Sequence, residues 1–198
     1  MVRPSGSEAM EEATLREVLR QARAGERAAF AGLYRCFFRR VLGLCRYLLG
    51  SRAEAEDAAS EIFARLPETM KSYDSTLPFP RWLLSVTSHY CLDLLRRRRL
   101  EQRIFEPREA EGMEPAVAGP SPLEALLFNE RKDGVRAAIT RLPERYRVPL
   151  VLRYYNELSY DEIAARLGLS RAHVGIAIFR AKQELRRALL PVRPEGRQ

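Results

Sequence analysis

Hydrophobic residues recur along most of this chain at the spacing of an α-helix. They return every three or four positions, and such spacing gathers apolar side chains on one buried helix face. No segment shows the strict alternation of apolar and polar residues that marks a half-buried strand. The pattern therefore predicts an all-α fold. Near the N-terminus the positions concerned are Leu15, Leu19, Ala22, Phe30, Leu33, Phe37, Val41 and Leu48.

Turn and cap residues divide the first half of the chain into successive helices. Gly50 ends one helix, because glycine tolerates the left-handed conformation found after a helix C-terminus. Ser51 and Glu54 have the spacing of a capping box, which predicts the start of the next helix. A loop is predicted from Tyr73 to Pro80, and a long helix from about Arg81 to Arg99. The residues expected to be buried on these two helices are Ala55, Ala58, Ala59, Ile62, Leu66, Leu83, Val86 and Leu94.

A segment rich in proline and glycine separates two helical blocks. Residues 100–122 hold five acidic and two basic residues, although the whole chain has a net charge of +8. Few large apolar residues lie there, so the segment is predicted to be an extended acidic linker. It joins one helical domain, residues 13–99, to another, residues 123–190. Residues 1–12 are expected to be disordered, and residues 191–198 to form a tail.

The second block contains the sequence pattern of a helix-turn-helix. Ser159 and Glu162 form another capping box, which predicts a helix from Tyr160 to Leu167. Gly168 ends that helix and Ser170 caps the next. In a helix-turn-helix the second helix enters the DNA major groove, although a helical hairpin unrelated to DNA remains the alternative. The second helix is expected to bury Val174, Ile178, Ala181 and Leu185 and to carry the basic residues Arg171, Arg180, Lys182, Arg186 and Arg187.

Two surface features of the first block point to further partners. Glu54, Asp57 and Glu61 are spaced three and four residues apart, so they form an acidic stripe on one helix face. Such a stripe is usually only solvated, but it can also bind a basic protein surface. The second feature is a set of aromatic residues followed by arginines, which suits single-stranded nucleic acid because bases stack on rings and phosphates pair with cations. Its members are Tyr73, Phe79, Trp82, Tyr90, Arg96, Arg97, Arg98 and Arg99.

Charge and residue types narrow the class of function. The net charge of +8 favours a polyanionic partner such as nucleic acid. Cys36, Cys45 and Cys91 lie in apolar helical patterns without metal-ligand spacing, so buried reduced thiols are expected. Because His89 and His173 are the only histidines, no metal site is expected. The sequence shows neither a membrane span nor a signal peptide, so a cytoplasmic protein without membrane insertion is expected.

Together these motifs resemble the extracytoplasmic-function (ECF) sigma factors, which are RNA polymerase subunits of the sigma-70 family. The resemblance covers nearly the whole chain, from about Leu15 to Leu190. The residues that carry it are Ala55-Glu56-Asp57 and Glu61-Ile62-Phe63 for region 2.2; Phe79, Trp82-Leu83, Val86, Asp93 and Arg96-Arg97 for regions 2.3 and 2.4; and Leu142-Pro143, Arg147, Ser159-Tyr160, Glu162-Ile163-Ala164, Leu167-Gly168, Val174 and Arg180-Ala181 for region 4.

The resemblance implies an alternative sigma factor that binds core RNA polymerase, melts the −10 element and reads the −35 element. It also implies that the chain does no chemistry itself, so no catalytic centre, cofactor or small-molecule substrate is expected. The expected partners are the β′ clamp and β flap of the polymerase, promoter DNA and a separate anti-sigma factor. The implied polymerase-binding residues are Glu54, Asp57, Ser60 and Glu61. The implied −10 residues are Tyr73, Phe79, Trp82, His89, Tyr90, Arg96, Arg97, Arg98 and Arg99. The implied −35 residues are Arg171, Ala172, His173, Gly175, Ile176, Phe179, Arg180 and Lys182.

Three places depart from the family pattern. Ser60 stands where the family usually has glutamine, and His89 where it usually has asparagine. In the recognition helix Gly175-Ile176-Ala177 replaces the usual polar run. A helical wheel predicts that Ile176 and Phe179 are exposed, so we expect them to contact thymine methyl groups of the −35 element, together with an arginine contact. The same apolar face would alternatively bind a protein.

Two other functions fit parts of the sequence. A helix-turn-helix repressor or activator would account for the second block, but it would leave the aromatic cluster and the arginines unexplained. A regulatory interaction module, such as an anti-sigma antagonist, would keep the fold without productive DNA binding, and the apolar recognition helix favours that function.

Overall fold

The computed structural model of the protein describes residues 12–105 and 132–189. Over these ranges the backbone forms helices and turns, without a β-strand, so the predicted all-α fold is confirmed. The chain divides into two compact units, residues 1–95 and 96–198. Within the described ranges, no helix combines the length and the apolar character that a membrane span requires.

The first unit is built around a long second helix. The elements from Glu12 onward are α1 (Glu12–Arg23), α2 (Arg27–Leu49), α3 (Arg52–Ala64), α4 (Leu66–Thr69), a 3₁₀ turn (Met70–Ser72) and α5 (Phe79–Phe105), which continues past the end of this unit at Leu95. Helix α2 packs against both α1 and α3. Gly50 closes α2 in the left-handed conformation, with φ of 79°. The Ser51 hydroxyl accepts a hydrogen bond from the Glu54 N–H across 3.4 Å, which is the N-cap half of the predicted capping box and starts α3.

Helix α5 differs from its prediction in length and in its buried face. It continues past Arg99 to Phe105, because the first residue that breaks a helix in this stretch is Pro107. Val86 and Leu94 are half-buried rather than buried, because they flank the face that packs inward. That inward face consists of Leu83, Leu84, Thr87, Ser88, Cys91, Leu92 and Leu95.

Two of the three cysteines belong to the core of the first unit. Cys45 in α2 and Cys91 in α5 are buried free thiols whose Sγ atoms lie 3.7 Å apart. The hydrogen bond to Cys45 and the burial of the side chain raise the pKa of the Cys91 thiol, so it stays protonated at neutral pH. Cys36 is half-buried. The prediction of buried thiols is therefore confirmed for Cys45 and Cys91.

The second unit surrounds its last helix with three others. Its described helices are α6 (Lys132–Arg141), α7 (Glu144–Tyr155), α8 (Tyr160–Leu167) and α9 (Arg171–Leu189). Helix α9 packs against α6, α7 and α8. As a result, apolar residues on several sides of α9 are covered by neighbouring helices.

Part of the predicted organisation lies outside the described residues. This holds for residues 1–11, for most of the predicted acidic linker at 100–122, and for the tail at 191–198. The domain limits 13–99 and 123–190 therefore stay predictions. The first residues of the predicted linker, 100–105, belong to helix α5.

Candidate polymerase and nucleic-acid interfaces

The acidic stripe of α3 faces solvent. Glu54 and Asp57 are exposed, and Glu61 is half-buried. Glu61 pairs with Arg65 one turn later, whereas Asp57 forms no ion pair with any residue in the described part of the chain. Ser60 is also exposed, and its hydroxyl donates a 2.8 Å hydrogen bond to the carbonyl oxygen of Glu56 in its own helix. The Asp57 carboxylate is thus available to a basic partner.

Another acidic residue, Glu56, ties α3 to α2. Its Oε1 accepts hydrogen bonds from Arg52 Nε across 2.8 Å and from Arg46 Nη2 across 3.0 Å. These two bonds, the one from Arg52 first, lower the pKa of the Glu56 carboxyl below its ordinary value of 4.5. Because Arg46 belongs to α2, the bonds help to fix the rotation of α3 and so the direction of its stripe.

The aromatic cluster is packed more deeply than the sequence predicts. The Phe79 ring centroid lies 5.4 Å from those of Phe37 and Tyr73 and 5.5 Å from that of Trp82. Phe79 is 2% exposed and Tyr73 is also buried, so neither ring presents a face to a base. The two rings pack on each other and Phe79 also packs on Phe37 of α2, so their burial does not favour the predicted contact with −10 bases, which stays a prediction. Trp82 is half-buried.

A residue that was not identified from the sequence holds the loop before α5. The guanidinium of Arg23 donates to the Tyr73 carbonyl oxygen and lies 5.3 Å from the centroid of the Tyr73 ring. The Tyr73 hydroxyl donates to the Leu77 carbonyl oxygen across 2.6 Å. These contacts fix the loop against α1, and a groove of about 740 Å³ lies between the two. Arg23 is 50 residues from Tyr73, so no local sequence signal reveals the pair.

The accessible residues among the implied −10 set lie on α5. His89 is exposed, and its Nδ1 lies 2.9 Å from the Ser85 carbonyl oxygen. Tyr90 is half-buried, with the Arg65 guanidinium 5.9 Å from its ring centroid. Among the arginines that follow in this helix, Arg96, Arg97 and Arg99 are exposed and Arg98 is half-buried. The exposed His89 and Arg97 are accessible to DNA in a way that Phe79 is not.

The helix-turn-helix has the geometry that its sequence predicts. The Ser159 hydroxyl accepts from the Glu162 N–H across 3.2 Å, and Glu162 Oε2 accepts from the Ser159 N–H across 2.7 Å, so the capping box is complete. Gly168 takes a φ of 67°, and its N–H donates to the Ala164 carbonyl oxygen. Such a left-handed turn is strained for residues with a Cβ, which explains glycine at this position.

Helix α9 buries more of its surface than a helical wheel suggests. Val174, Ile178, Ala181 and Leu185 are buried as predicted, but so are Ile176 and Ala177. Ile176 is 7% exposed, which contradicts its expected place on a DNA-facing surface. The physical reason is that three helices cover α9, whereas a wheel assumes one buried side. The exposed residues of the implied −35 set are Arg171, Ala172, His173 and Arg180, while Gly175, Phe179 and Lys182 are half-buried.

Two contacts hold the side chains at the start of α9. Arg171 Nη1 lies 2.7 Å from Asp161 Oδ2, and Asp161 belongs to the first turn of α8. The Ser170 hydroxyl oxygen accepts the His173 N–H across 3.2 Å and lies 2.8 Å from His173 Nδ1. Asp161 was not identified from the sequence, since its partner is ten residues away on the next helix.

Comparison with known families matches both units. The family model described as Sigma-70 region 2 matches residues 33–101, and the one described as Sigma-70, region 4 matches residues 132–185. The first match includes the stripe of α3 and the arginines of α5, and the second includes α8, the turn and α9 as far as Leu185.

Curated proteins of similar length show the same relationship. The ECF RNA polymerase sigma factor SigW of Bacillus subtilis is 28% identical over 90% of this chain and 98% of its own length. The RNA polymerase sigma-H factor of Pseudomonas aeruginosa is 28% identical over 91% of this chain and 96% of its own length. The solved structure of the sigma factor RpoE from Bartonella quintana, in complex with the anti-sigma factor NepR, has a similar fold, with a TM-score of 0.52 at 17% identity over 83% of this chain and 98% of that one. This chain therefore belongs to the sigma-70 family and is an alternative sigma factor of the ECF type.

Proposed function

We propose that the chain acts in transcription initiation through three surfaces. The acidic stripe of α3 binds core RNA polymerase, the exposed side chains of α5 meet the −10 element, and α9 with its basic neighbours meets the −35 element. The observation that carries the proposal is the Asp57 carboxylate, which is exposed without an ion pair to any described residue, inside the segment that matches sigma region 2.

Binding of the α3 stripe to core RNA polymerase depends on its negative charge and on the fixed direction of α3. Charged pairs across an interface set the rate of encounter and the register of the complex more than the final affinity. Asp57 is available for this role, whereas Glu61 has to exchange its contact with Arg65 for one with the polymerase. We propose the β′ clamp of the core enzyme as the basic partner of the stripe.

Contact with the −10 element is assigned to the exposed part of α5. An exposed imidazole such as that of His89 can stack on an unpaired base or hydrogen-bond to it, and base stacking on a ring is worth roughly 1–3 kcal/mol. The exposed guanidinium groups of Arg96, Arg97 and Arg99 suit phosphate contacts, which give affinity without reading sequence. Arg96 and Arg99 have to exchange an existing hydrogen bond or ion pair for such a contact. Phe79 and Tyr73 instead support the loop and the start of α5.

Contact with the −35 element is assigned to the exposed residues of α9. Arg180, Arg186 and Arg187 are exposed and suit the phosphates on both sides of the groove. Because such contacts release counterions, binding should weaken steeply as salt is added. We place the β flap of the polymerase near this unit, as the resemblance implies.

The same proposal extends to catalysis, cellular location and regulation. The polymerase makes the RNA, so the chain itself is not an enzyme, and it works in the cytoplasm, where the polymerase is. The RpoE structure contains the anti-sigma factor NepR, and we propose that a separate anti-sigma factor also holds this chain inactive.

The test of the docking assignment is charge reversal on α3. We expect Asp57→Lys combined with Glu61→Lys to weaken binding to bacterial core polymerase at least about tenfold, because attraction becomes repulsion at the same positions. The matched control is Glu68→Lys, an exposed acidic residue on α4 outside the stripe, which should bind normally. Unchanged affinity in the double variant, with normal helical circular dichroism, would remove the assignment.

A further inference from the structure

The middle of α9 has no side chain that could form a hydrogen bond with a DNA base. Gly175, Ile176 and Ala177 have no polar side-chain atoms, and Ile176 and Ala177 are buried as well. A Cβ placed on Gly175 would stand 3.8 Å from the Tyr160 ring, so this part of the helix lies against α8. Base reading therefore has to come from other exposed positions on α9. In a helix-turn-helix these are most often the early residues of the second helix, which here include Arg171 and His173.

Arg171 forms an ion pair with Asp161 that adds little to the stability of the fold. Its side chain is 69% exposed and that of Asp161 66%, and ion pairs this exposed contribute little to folding. The contact does restrict the positions of the guanidinium at the start of α9. A guanidinium has five N–H donors in a fixed fork, and the 2.7 Å contact uses Nη1 alone, so further donors are left for DNA.

His173 is held by the residue that caps its own helix. The Ser170 hydroxyl oxygen accepts the backbone N–H of His173, and its single proton can then be donated to Nδ1, which lies 2.8 Å away. A neutral imidazole whose Nδ1 accepts a hydrogen bond carries its proton on Nε2. We assign this tautomer to His173, and its outer nitrogen is then a donor.

We propose that Arg171 and His173 determine −35 specificity in this chain by donating hydrogen bonds to guanine, and that Asp161 is a positioning residue for Arg171. The proposal rests on the assignment of α9 to the −35 element. Guanine is the base that presents two neighbouring acceptors, N7 and O6, in the major groove, whereas adenine presents one acceptor beside a donor. A guanidinium that donates to both atoms therefore selects guanine, and the single Nε2–H donor of His173 selects guanine where it reaches O6 as well as N7, because N7 is also present on adenine. This replaces the expected reading of thymine methyl groups by Ile176, whose burial excludes that contact.

The first experiment compares normal and modified guanines. Duplexes randomised over the −35 region are selected with the full-length chain bound to bacterial core polymerase, and the chosen guanines are then replaced by 7-deazaguanine, which lacks the N7 acceptor. We expect the replacement to weaken wild-type binding roughly tenfold at one or two positions. Arg171→Lys keeps the charge but loses the forked arrangement of N–H donors. In this variant, most of the loss of binding that 7-deazaguanine causes at one position should therefore disappear. His173→Ala should remove the penalty at another.

A second experiment separates positioning from a merely structural role. Asp161→Asn removes a negative charge near the DNA and frees Arg171, so binding to non-specific duplex should rise while preference for guanine falls. The matched control is Glu184→Gln, which removes an exposed acidic charge from α9 itself. It should raise non-specific binding and leave the guanine preference unchanged. A structural role for Asp161 would instead lower both kinds of binding together.

The outcomes distinguish this proposal from the one on which it rests. Suppose that the wild-type chain selects a −35 sequence, but 7-deazaguanine weakens binding of Arg171→Lys and His173→Ala as much as it weakens binding of the wild type. The base-reading proposal is then overturned and the promoter function stands. If Asp161→Asn lowers both kinds of binding, its positioning role is overturned. If the chain with core polymerase selects no sequence at all, the assignment of α9 to the −35 element fails together with the proposal.

Discussion

The buried guanidinium of Arg147 donates a 3.1 Å hydrogen bond to the carbonyl oxygen of Leu142. The same Nη1 also donates to the Thr140 carbonyl oxygen across 3.2 Å. Both carbonyls lie at the end of α6, where the last carbonyls of a helix lack partners within it. Arg147 of α7 thus caps α6, one of the helices that surround α9.

Removing this cap should destabilise the protein. Arg147→Met keeps much of the aliphatic volume but leaves the buried carbonyls without their donor, a loss worth about 1–3 kcal/mol. Urea unfolding followed by circular dichroism measures the change. The matched control is Arg145→Met on the exposed side of the same helix, which should stay within about 0.5 kcal/mol of the wild type. Equal losses in the two variants would contradict the capping role.

The contacts of Glu56 predict a stability that depends on pH. Because the folded state lowers the pKa of this carboxyl below 4.5, its contribution is fully present above that value and is lost as the pH falls through the folded pKa. We expect the gap in urea midpoint between wild type and Glu56→Gln to be largest at neutral pH and to close in acid. Glu68→Gln, on an exposed pair in α4 and the 3₁₀ turn, serves as control. A gap that does not change with pH would show that Glu56 acts through packing alone.

His89 should influence how the −10 element is read. It is exposed on α5 and stands where the family usually has asparagine, so His89→Asn should change base preference in the element while leaving core binding intact. His89→Ala should reduce formation of the open complex, with an effect of roughly 1–3 kcal/mol or less. Permanganate footprinting of unpaired thymines reports both effects. An identical bubble and base preference in both variants would withdraw the role of His89.

Local signals gave the correct outline of the fold. The capping box of Ser159 and Glu162 needs residues three positions apart, and it forms as its spacing predicts. Gly50 and Gly168 end their helices because the left-handed turn favours glycine wherever the chain takes it. Most of the positions that the apolar spacing predicts to be buried are buried, since the spacing reports which face of a helix is covered.

The errors arose where distant segments decide the environment of a residue. A helical wheel predicts that Ile176 is exposed, because it takes no account of the three helices that cover α9. The sequence also does not reveal the burial of Phe79 and Tyr73, because aromatic residues near arginines have the same sequence pattern whether or not another ring packs on them. The pairs Arg23 with Tyr73 and Arg171 with Asp161 join separate elements, so only the folded chain reveals them.

The most direct test of the central claim is transcription in vitro with bacterial core polymerase and a library of promoter fragments. Core enzyme alone should give no promoter-specific RNA. Adding the chain should give transcripts whose start sites share one −35 and one −10 sequence, and the Asp57→Lys, Glu61→Lys variant should give far less product while Glu68→Lys gives the wild-type amount. A folded chain that binds DNA but yields no specific transcript with any core enzyme tested would contradict the account.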